Sequence, residues 1–128
     1  MTEKLLDWLS RYNLIMFDEI DSTNLEARRL IESGINDDFV IVASKQNNGK
    51  GRTGSNWVSE EGNLYLSIIL RPYGKTHTFP QLSFITSLAL YDTISALSRE
   101  NNKSSLDMKL KWPNDVLVNN HKISGILL

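Results

Sequence analysis

The sequence predicts an α+β domain, built on a mixed, mostly antiparallel sheet with helices packed on one face. Three observations predict it. Apolar runs rich in β-branched and aromatic residues, Phe39-Val-Ile-Val-Ala-Ser44 and Asn63-Leu-Tyr-Leu-Ser-Ile-Ile-Leu70, read as strands bounded by turn residues. Two other stretches space their apolar residues for helices. Asn119-Asn120, set between Val116–Val118 and His121–Leu128, is a two-residue type I′ hairpin signal.

In chain order, Leu5, Leu6, Trp8 and Leu9 suit a short amphipathic helix over roughly residues 3–11, and Leu14–Phe17 continues as a strand. Asp21 to Asn24 supply capping residues, with Thr23 and Glu26 at capping-box spacing, for a helix running to about Ser33, where Gly34 can end it. After the strand–loop–strand of 39–70, Arg71 to Thr76 is turn-rich, and Phe79 to about Leu97 is a long helix. Its first half is apolar nearly all round and is expected to be buried against the sheet. Asn101–Ser105 is a loop. In the strand Met108–Trp112, period 2 places Lys109 and Lys111 on one face and Met108, Leu110 and Trp112 on the other. Pro113, Asn114 and Asp115 carry turn chemistry. The final strand, Ile123–Leu128, is apolar and is expected to be central. A second copy, another chain or further strands of a larger domain are then expected beside it, so residues 1–128 read as one partial domain.

Composition narrows the function. The chain has 128 residues, 41% hydrophobic and 23% charged, with a net charge of −1, which suits a folded domain and argues against a general binder of DNA or of anionic membranes. It has no cysteine, so thiolate metal sites and disulfides are excluded, and His77 and His121 stand in loop-like contexts as surface histidines. No apolar run approaches the ~18 residues of a membrane span, and a cytoplasmic location is expected.

The segment Gln46-Asn-Asn-Gly-Lys-Gly-Arg-Thr-Gly-Ser-Asn-Trp57 holds three glycines and two cations and no acid. Glycines let backbone N–H groups approach an anion, and Lys50 and Arg52 bring the charge that phosphate or carboxylate needs; a solvated loop is the plain alternative. Gly49 to Gly54 match G-x-G-x-x-G, yet the loop joins strand to strand, whereas a dinucleotide site opens a helix on its last glycine. H-R-D and D-F-G are absent, which removes a protein kinase, and so is the Walker A pattern.

Taken in order, Ser22-Thr23-Asn24, the loop Gln46-x-x-Gly49-Lys50-Gly51-Arg52-x-Gly54 with Trp57, Asn63-Leu-Tyr-Leu-Ser67, Lys111-Trp-Pro-Asn-Asp115 and Lys122-Ile-Ser-Gly-Ile-Leu127 resemble the catalytic domain of biotin protein ligases. The resemblance spans residues from about 14 to 128. It implies a class II synthetase-like fold shared with lipoate ligases, and an enzyme that activates biotin on ATP as biotinyl-5′-AMP, with Mg²⁺. Biotin then passes to one lysine of a biotin carboxyl carrier domain. By position, Ser22, Thr23, Asn24, Gln46, Gly49, Lys50, Arg52, Lys122 and Gly125 correspond to the biotin side. Lys50, Arg52, Thr53, Gly54, Trp57, Lys111, Asn114 and Lys122 correspond to the nucleotide side, with Lys122, Arg52 and Lys111 nearest the chemistry.

Two departures stand out. The family loop usually reads Gly-Arg-Gly-Arg-x-Gly-Arg; here Lys50 replaces the first arginine, losing a bidentate fork, and Ser55 the last. The family's leading DNA-binding helix-turn-helix, its further sheet strands and its small C-terminal β-domain are expected to be missing. Two alternatives therefore stand beside the ligase: a non-catalytic relative that binds biotin, nucleotide or a partner, and a lipoate ligase-like enzyme.

Overall fold

A computed structural model describes residues 12–101 and 106–128. The helix expected over residues 3–11 and most of the loop at 101–105 lie outside the described residues. The chain divides into two compact units, one ending at Pro72 and the other beginning at Tyr73.

The first unit is a three-stranded sheet with one helix on one face. Strands β1 (Asn13–Ile20), β2 (Phe39–Gln46) and β3 (Tyr65–Ile69) lie in that order. β1 and β2 are parallel, as the intervening helix α1 (Thr23–Glu32) requires, and β2 and β3 are antiparallel. Thr23, Ala27 and Leu30 recur at helical spacing on the inner face of α1. Ala27 meets Ile41 and Ile69, with Phe17, Leu30 and Phe39 packed around them. Ile41 is the centre of this core, at 0% exposure on the middle strand. On the opposite face of the sheet, Leu14, Met16, Leu66 and Ile68 are exposed. Arg71 ties the end of this unit to the α1–β2 connection by donating to the carbonyls of Asp37 (2.6 Å) and Ile35 (2.7 Å).

The helix starts one residue earlier than capping-box spacing suggests. Ser22 is the N-cap, extended at φ −163°, and its Oγ accepts from the backbone N–H groups of Asn24 (3.2 Å) and Leu25 (3.4 Å). Glu26 is thereby one position too late to close a box and instead accepts from Arg29 Nε at 2.7 Å. At the other end Ser33 is the C-cap and Gly34 follows at φ +85°, the left-handed position that glycine takes without strain.

The second unit packs helix α2 (Leu82–Glu100) on a meander of β4 (Met108–Lys111), β5 (Asp115–Val118) and β6 (His121–Gly125). A 3₁₀ turn over Thr76–Gln81 precedes α2, and Pro80 within it has no N–H to give an α-helix interior. Ser95 Oγ lies 3.3 Å from Met108 Sδ, and Phe84 and Trp112 hold their rings 6.0 Å apart. The expected burial of the apolar first half of α2 does not hold: Phe84, Ile85 and Leu88 are exposed, and the buried helix residues are Ser87 and Ser98. Asn119 and Asn120 both have positive φ (50° and 64°), the geometry of the I′ hairpin. The last strand, expected over Ile123–Leu128, runs from His121 to Gly125, and among the described residues β6 pairs with β5.

Ile41→Ala removes the best-enclosed side chain of the first unit. We expect a loss of about 2–5 kcal/mol, read from the urea midpoint by circular dichroism. A change under about 0.5 kcal/mol would contradict the packing described, since surface substitutions stay in that range.

Candidate functional site

In the first unit, the sequence-predicted residues meet where the N-terminus of α1 faces the end of β2. The parallel β1–β2 register continues past the strands, with Asn47 N–H donating to Ile20 O (2.9 Å) and Asn48 N–H to Asp21 O (2.8 Å). That register brings Gln46 against the first turn of α1. Gln46 Oε1 accepts from Thr23 N–H at 2.8 Å and from Thr23 Oγ1 at 3.2 Å, while Ser67 Oγ donates to Thr23 Oγ1 at 2.8 Å. At its other end Gln46 Nε2 donates to Ser59 Oγ (3.0 Å), and Ser59 Oγ donates to Trp57 O (3.1 Å). Ser22, Thr23 and Ser59 are all buried, so these polar groups satisfy one another away from water. Asn24 lies exposed on the outer side of the turn.

The glycine loop is an irregular hairpin. Gln46 pairs with Ser59 and Lys50 with Asn56 as antiparallel bridges, and Trp57 N–H donates to Gly49 O (2.9 Å). Gly49 is required by close approach: a Cβ there would lie 2.6 Å from both Ser59 Oγ and Trp57 O. At the tip, a 3₁₀ turn over Arg52–Gly54 carries two successive left-handed residues, Thr53 (φ 58°) and Gly54 (φ 76°), and Thr53 is β-branched, so its backbone is strained. Ser55, which stands in place of the family arginine, closes this turn: its carbonyl accepts from Gly51 N–H at 2.7 Å and its Oγ donates to Arg52 O at 3.1 Å. Lys50 Nζ donates to Asn56 Oδ1 at 2.9 Å. Lys50 and Arg52 are exposed at this tip, and Gln46 to Gly49 with Asn56 to Glu60 line an open recess of about 430 Å³.

Sequence reasoning missed the group that holds the turn before the helix. Arg29 forks onto Asp21, with Nη1 and Nη2 each 2.9 Å from a carboxylate oxygen, and Asp21 Oδ1 also accepts from Ser22 N–H at 2.7 Å. These bonds, the arginine's first, hold the Asp21 carboxyl down at about 2, from an ordinary 3.8, and the same partnership raises Arg29. Asn47 Nδ2 donates to Glu19 Oε1 at 2.6 Å and, with Lys45, lowers the Glu19 carboxyl. The eight-residue separation of Asp21 and Arg29 offers no periodic signal; only the path of the turn brings them together. Ser59, a lone serine in the sequence, gives no signal either, and Ser67 stands in a matched motif that does not show its bond to Thr23.

In the second unit, Lys111, Asp115 and Gly125 stand side by side across β4, β5 and β6. An extra residue, Ile123, bulges β6 between the pairs Val116–Ser124 and Leu117–Lys122, and Lys122 Nζ reaches Asp115 Oδ1 at 2.8 Å. Asp115 is the more enclosed partner, its side chain 14% exposed against 40% for Lys122. Asn114 brackets the end of the hairpin, donating from Nδ2 to Ile126 O (2.8 Å) and accepting from Ile126 N–H at its carbonyl (3.0 Å). The unit thus gathers two cations, a carboxylate and an amide at one end of its sheet.

Residues 16–128 match the family described as biotin/lipoate A/B protein ligase. The chain belongs to that family. It is 40% identical over 113 residues to a biotin–[acetyl-CoA-carboxylase] ligase of Paracoccus denitrificans, covering 88% of this chain and 45% of the relative. To the bifunctional ligase/repressor BirA of Bacillus subtilis it is 34% identical over 116 residues, covering 90% and 34%. Among solved structures, the Aquifex aeolicus biotin protein ligase in complex with biotin and ATP matches with a TM-score of 0.68 and 33% identity, over 90% of this chain and 45% of that one. The Leishmania major biotin protein ligase in complex with biotinyl-5-AMP matches at 0.72 and 28%, over 90% and 51%. This chain spans about half or less of the length of these relatives. The likeness bears out the class II synthetase-like α+β fold.

Two outcomes test the geometry. A carboxyl whose folded pKa is depressed adds stability above its unfolded value and loses it as pH falls toward the folded value. The Asp21 contribution is therefore present above about pH 4 and lost toward pH 2. Asp21→Asn should flatten the fall of the melting temperature across that window; an unchanged slope would refute the fork. Gly49→Ala should loosen the hairpin, seen as faster amide exchange at Trp57, because the added methyl must displace backbone; retained wild-type protection at Trp57 would contradict the close approach.

Proposed function

We propose that this chain carries the biotin-activating chemistry of its family. A carboxylate oxygen of biotin attacks the α-phosphorus of ATP, the bond to the bridging oxygen breaks, and pyrophosphate leaves. A lysine amine of a biotin carboxyl carrier domain then attacks the acyl carbon of biotinyl-5′-AMP, losing a proton as AMP departs. The observation that carries this reading is the satisfied polar cluster of Ser22, Thr23 and Gln46 beside the cationic hairpin, in a chain whose relatives include structures with biotin, ATP and biotinyl-AMP.

The roles are those the family resemblance assigns, and the charges suit them. Carboxylate and triphosphate repel, and Lys50, Arg52, Lys111 and Lys122 offset that repulsion and the charge that builds on the α-phosphoryl group. Lys122 is held at Asp115 by an ion pair of 2.8 Å. By the family resemblance, Ser22, Thr23, Asn24, Gln46, Gly49 and Gly125 are assigned to the biotin side, and Thr53, Gly54, Trp57 and Asn114 to the nucleotide side. The hairpin tip shields the acyl-adenylate from water and reopens for the carrier lysine. Among the described residues no three His, Cys, Asp or Glu side chains gather as a metal site. Mg²⁺ enters this scheme with the substrate phosphates, which supply most of its ligands in sites of this kind. We place the reaction in the cytoplasm.

Incubation of the chain with biotin, ATP, Mg²⁺ and an apo carrier domain should release pyrophosphate and add the mass of biotin to the carrier. Neither product at micromolar enzyme would overturn the catalytic reading, and modification by lipoate in place of biotin would redirect it. Lys122→Ala should slow single-turnover adenylate formation by about 10²–10³-fold, the scale of one lost charge-stabilising donor. Wild-type rates in that variant would refute the role given to Lys122.

A further inference from the structure

The chain of hydrogen bonds through Gln46 ends on two backbone groups whose polarity cannot change. Thr23 N–H can only donate and Trp57 C=O can only accept, which sets every member between them. Oε1 of Gln46 must face Thr23, so Nε2 faces Ser59, and the single Ser59 hydroxyl proton goes to Trp57 O. Oε1 already accepts twice, from the N–H and the hydroxyl of Thr23. Gln46 is therefore left with one outward group, the second Nε2–H, a donor. It can recognise an acceptor such as a urea carbonyl oxygen and cannot receive a donor.

Thr23 settles which way round the amide sits, but it holds only the oxygen end. Ser59 holds the nitrogen end. It is 3% exposed, and the space between it and the backbone at Gly49 is too tight for even a Cβ. Its main chain separately accepts from Gln46 N–H at 3.1 Å, so removing the hydroxyl leaves the strand bridge in place. The hydroxyl is also the one side-chain link in this series between the amide and the return limb of the loop, through Trp57 O.

We propose that Ser59 is a positioning residue that aims the free Nε2–H of Gln46 at the ureido carbonyl of biotin and couples that contact to the hairpin. The proposal rests on the biotin reading above. Ser59 touches no reacting atom in this scheme; it acts through Gln46.

The test is binding of biotin and, separately, of ATP by wild type, Ser59→Ala and Ser59→Thr, with the Gln46 side-chain amide followed by ¹H–¹⁵N NMR. In Ser59→Ala we expect the Kd for biotin to rise about tenfold, as for one lost hydrogen bond, with ATP affinity within about twofold. The two Gln46 Nε2 proton shifts should converge as one loses its partner. Ser59→Thr keeps the hydroxyl, so the two Gln46 Nε2 proton shifts should stay apart even where the added methyl, in so tight a space, weakens binding. Unchanged biotin affinity in Ser59→Ala, equal weakening of biotin and ATP, or unmoved Gln46 shifts would each overturn the proposal. If Ser59→Ala does not fold, Ser59→Cys, near in volume and a weak acceptor, takes its place with the same criteria. Wild-type chain that binds no biotin would overturn the biotin reading itself; wild-type binding with an indifferent Ser59→Ala would overturn this proposal alone.

Discussion

The amide of Gln46 is held between the first turn of α1 and the return limb of the glycine loop, and the rest of the first unit is arranged so that it can be. β2 must run parallel to β1 in a register that carries beyond both strands, or Gln46 would not arrive at Thr23. Thr23 is the first helical residue, so its N–H has no acceptor within the helix and is available to Gln46. Asp21 must be fixed, and Arg29 fixes it from two turns along the helix. A half-buried amide gripped at both ends favours one geometry, because a shift leaves buried partners such as Thr23 and Ser59 unpaired at a cost of about 1–3 kcal/mol.

The glycine hairpin combines a tightly packed base with an exposed tip. At the base, Gly49 is pressed between Ser59 and Trp57, and main-chain bonds cross from Gln46 to Ser59 and from Trp57 to Gly49. At the tip, Lys50, Arg52, Thr53 and Gly54 are exposed, and the backbone passes through two left-handed residues in succession. Strain of the Thr53 kind costs about 1–3 kcal/mol and is the sort of feature that a bound anion can relieve. Ser55 for arginine exchanges a charge for a turn closure, and Lys50 for arginine exchanges a fork for a point charge that rests on Asn56.

Periodicity located most elements because the physics is local. The hairpin at Asn119-Asn120, the strand at Phe39 and the end of α1 at Gly34 each depend on residues a few positions apart. The misses share a cause. Burial of the first half of α2 was inferred from composition, yet burial depends on what covers a face, and Phe84, Ile85 and Leu88 are exposed. The last strand was drawn to Leu128 because the run is apolar; pairing sets the bounds of a strand, and β6 is paired over His121–Gly125. The capping box failed by one residue, because Thr23 and Ser22 are both competent caps and Gln46 claims the N–H and hydroxyl of Thr23.

The sequence by itself determined the kinds of residue available and their order: a cap before a helix, a cationic glycine hairpin between strands, and lysines flanking a Pro-Asn-Asp turn. Those features rest on side-chain chemistry and short-range backbone preference, which a linear text records. Only the tertiary structure decided partnerships. It set Gln46 between Thr23 and Ser59, Asp21 on Arg29, and Lys122 on Asp115 across a bulge at Ile123. Hydrogen-bond geometry acts over about 3 Å, and the groups it joined are separated by up to 44 residues of chain, so folding alone could choose among the many donors and acceptors that composition offered.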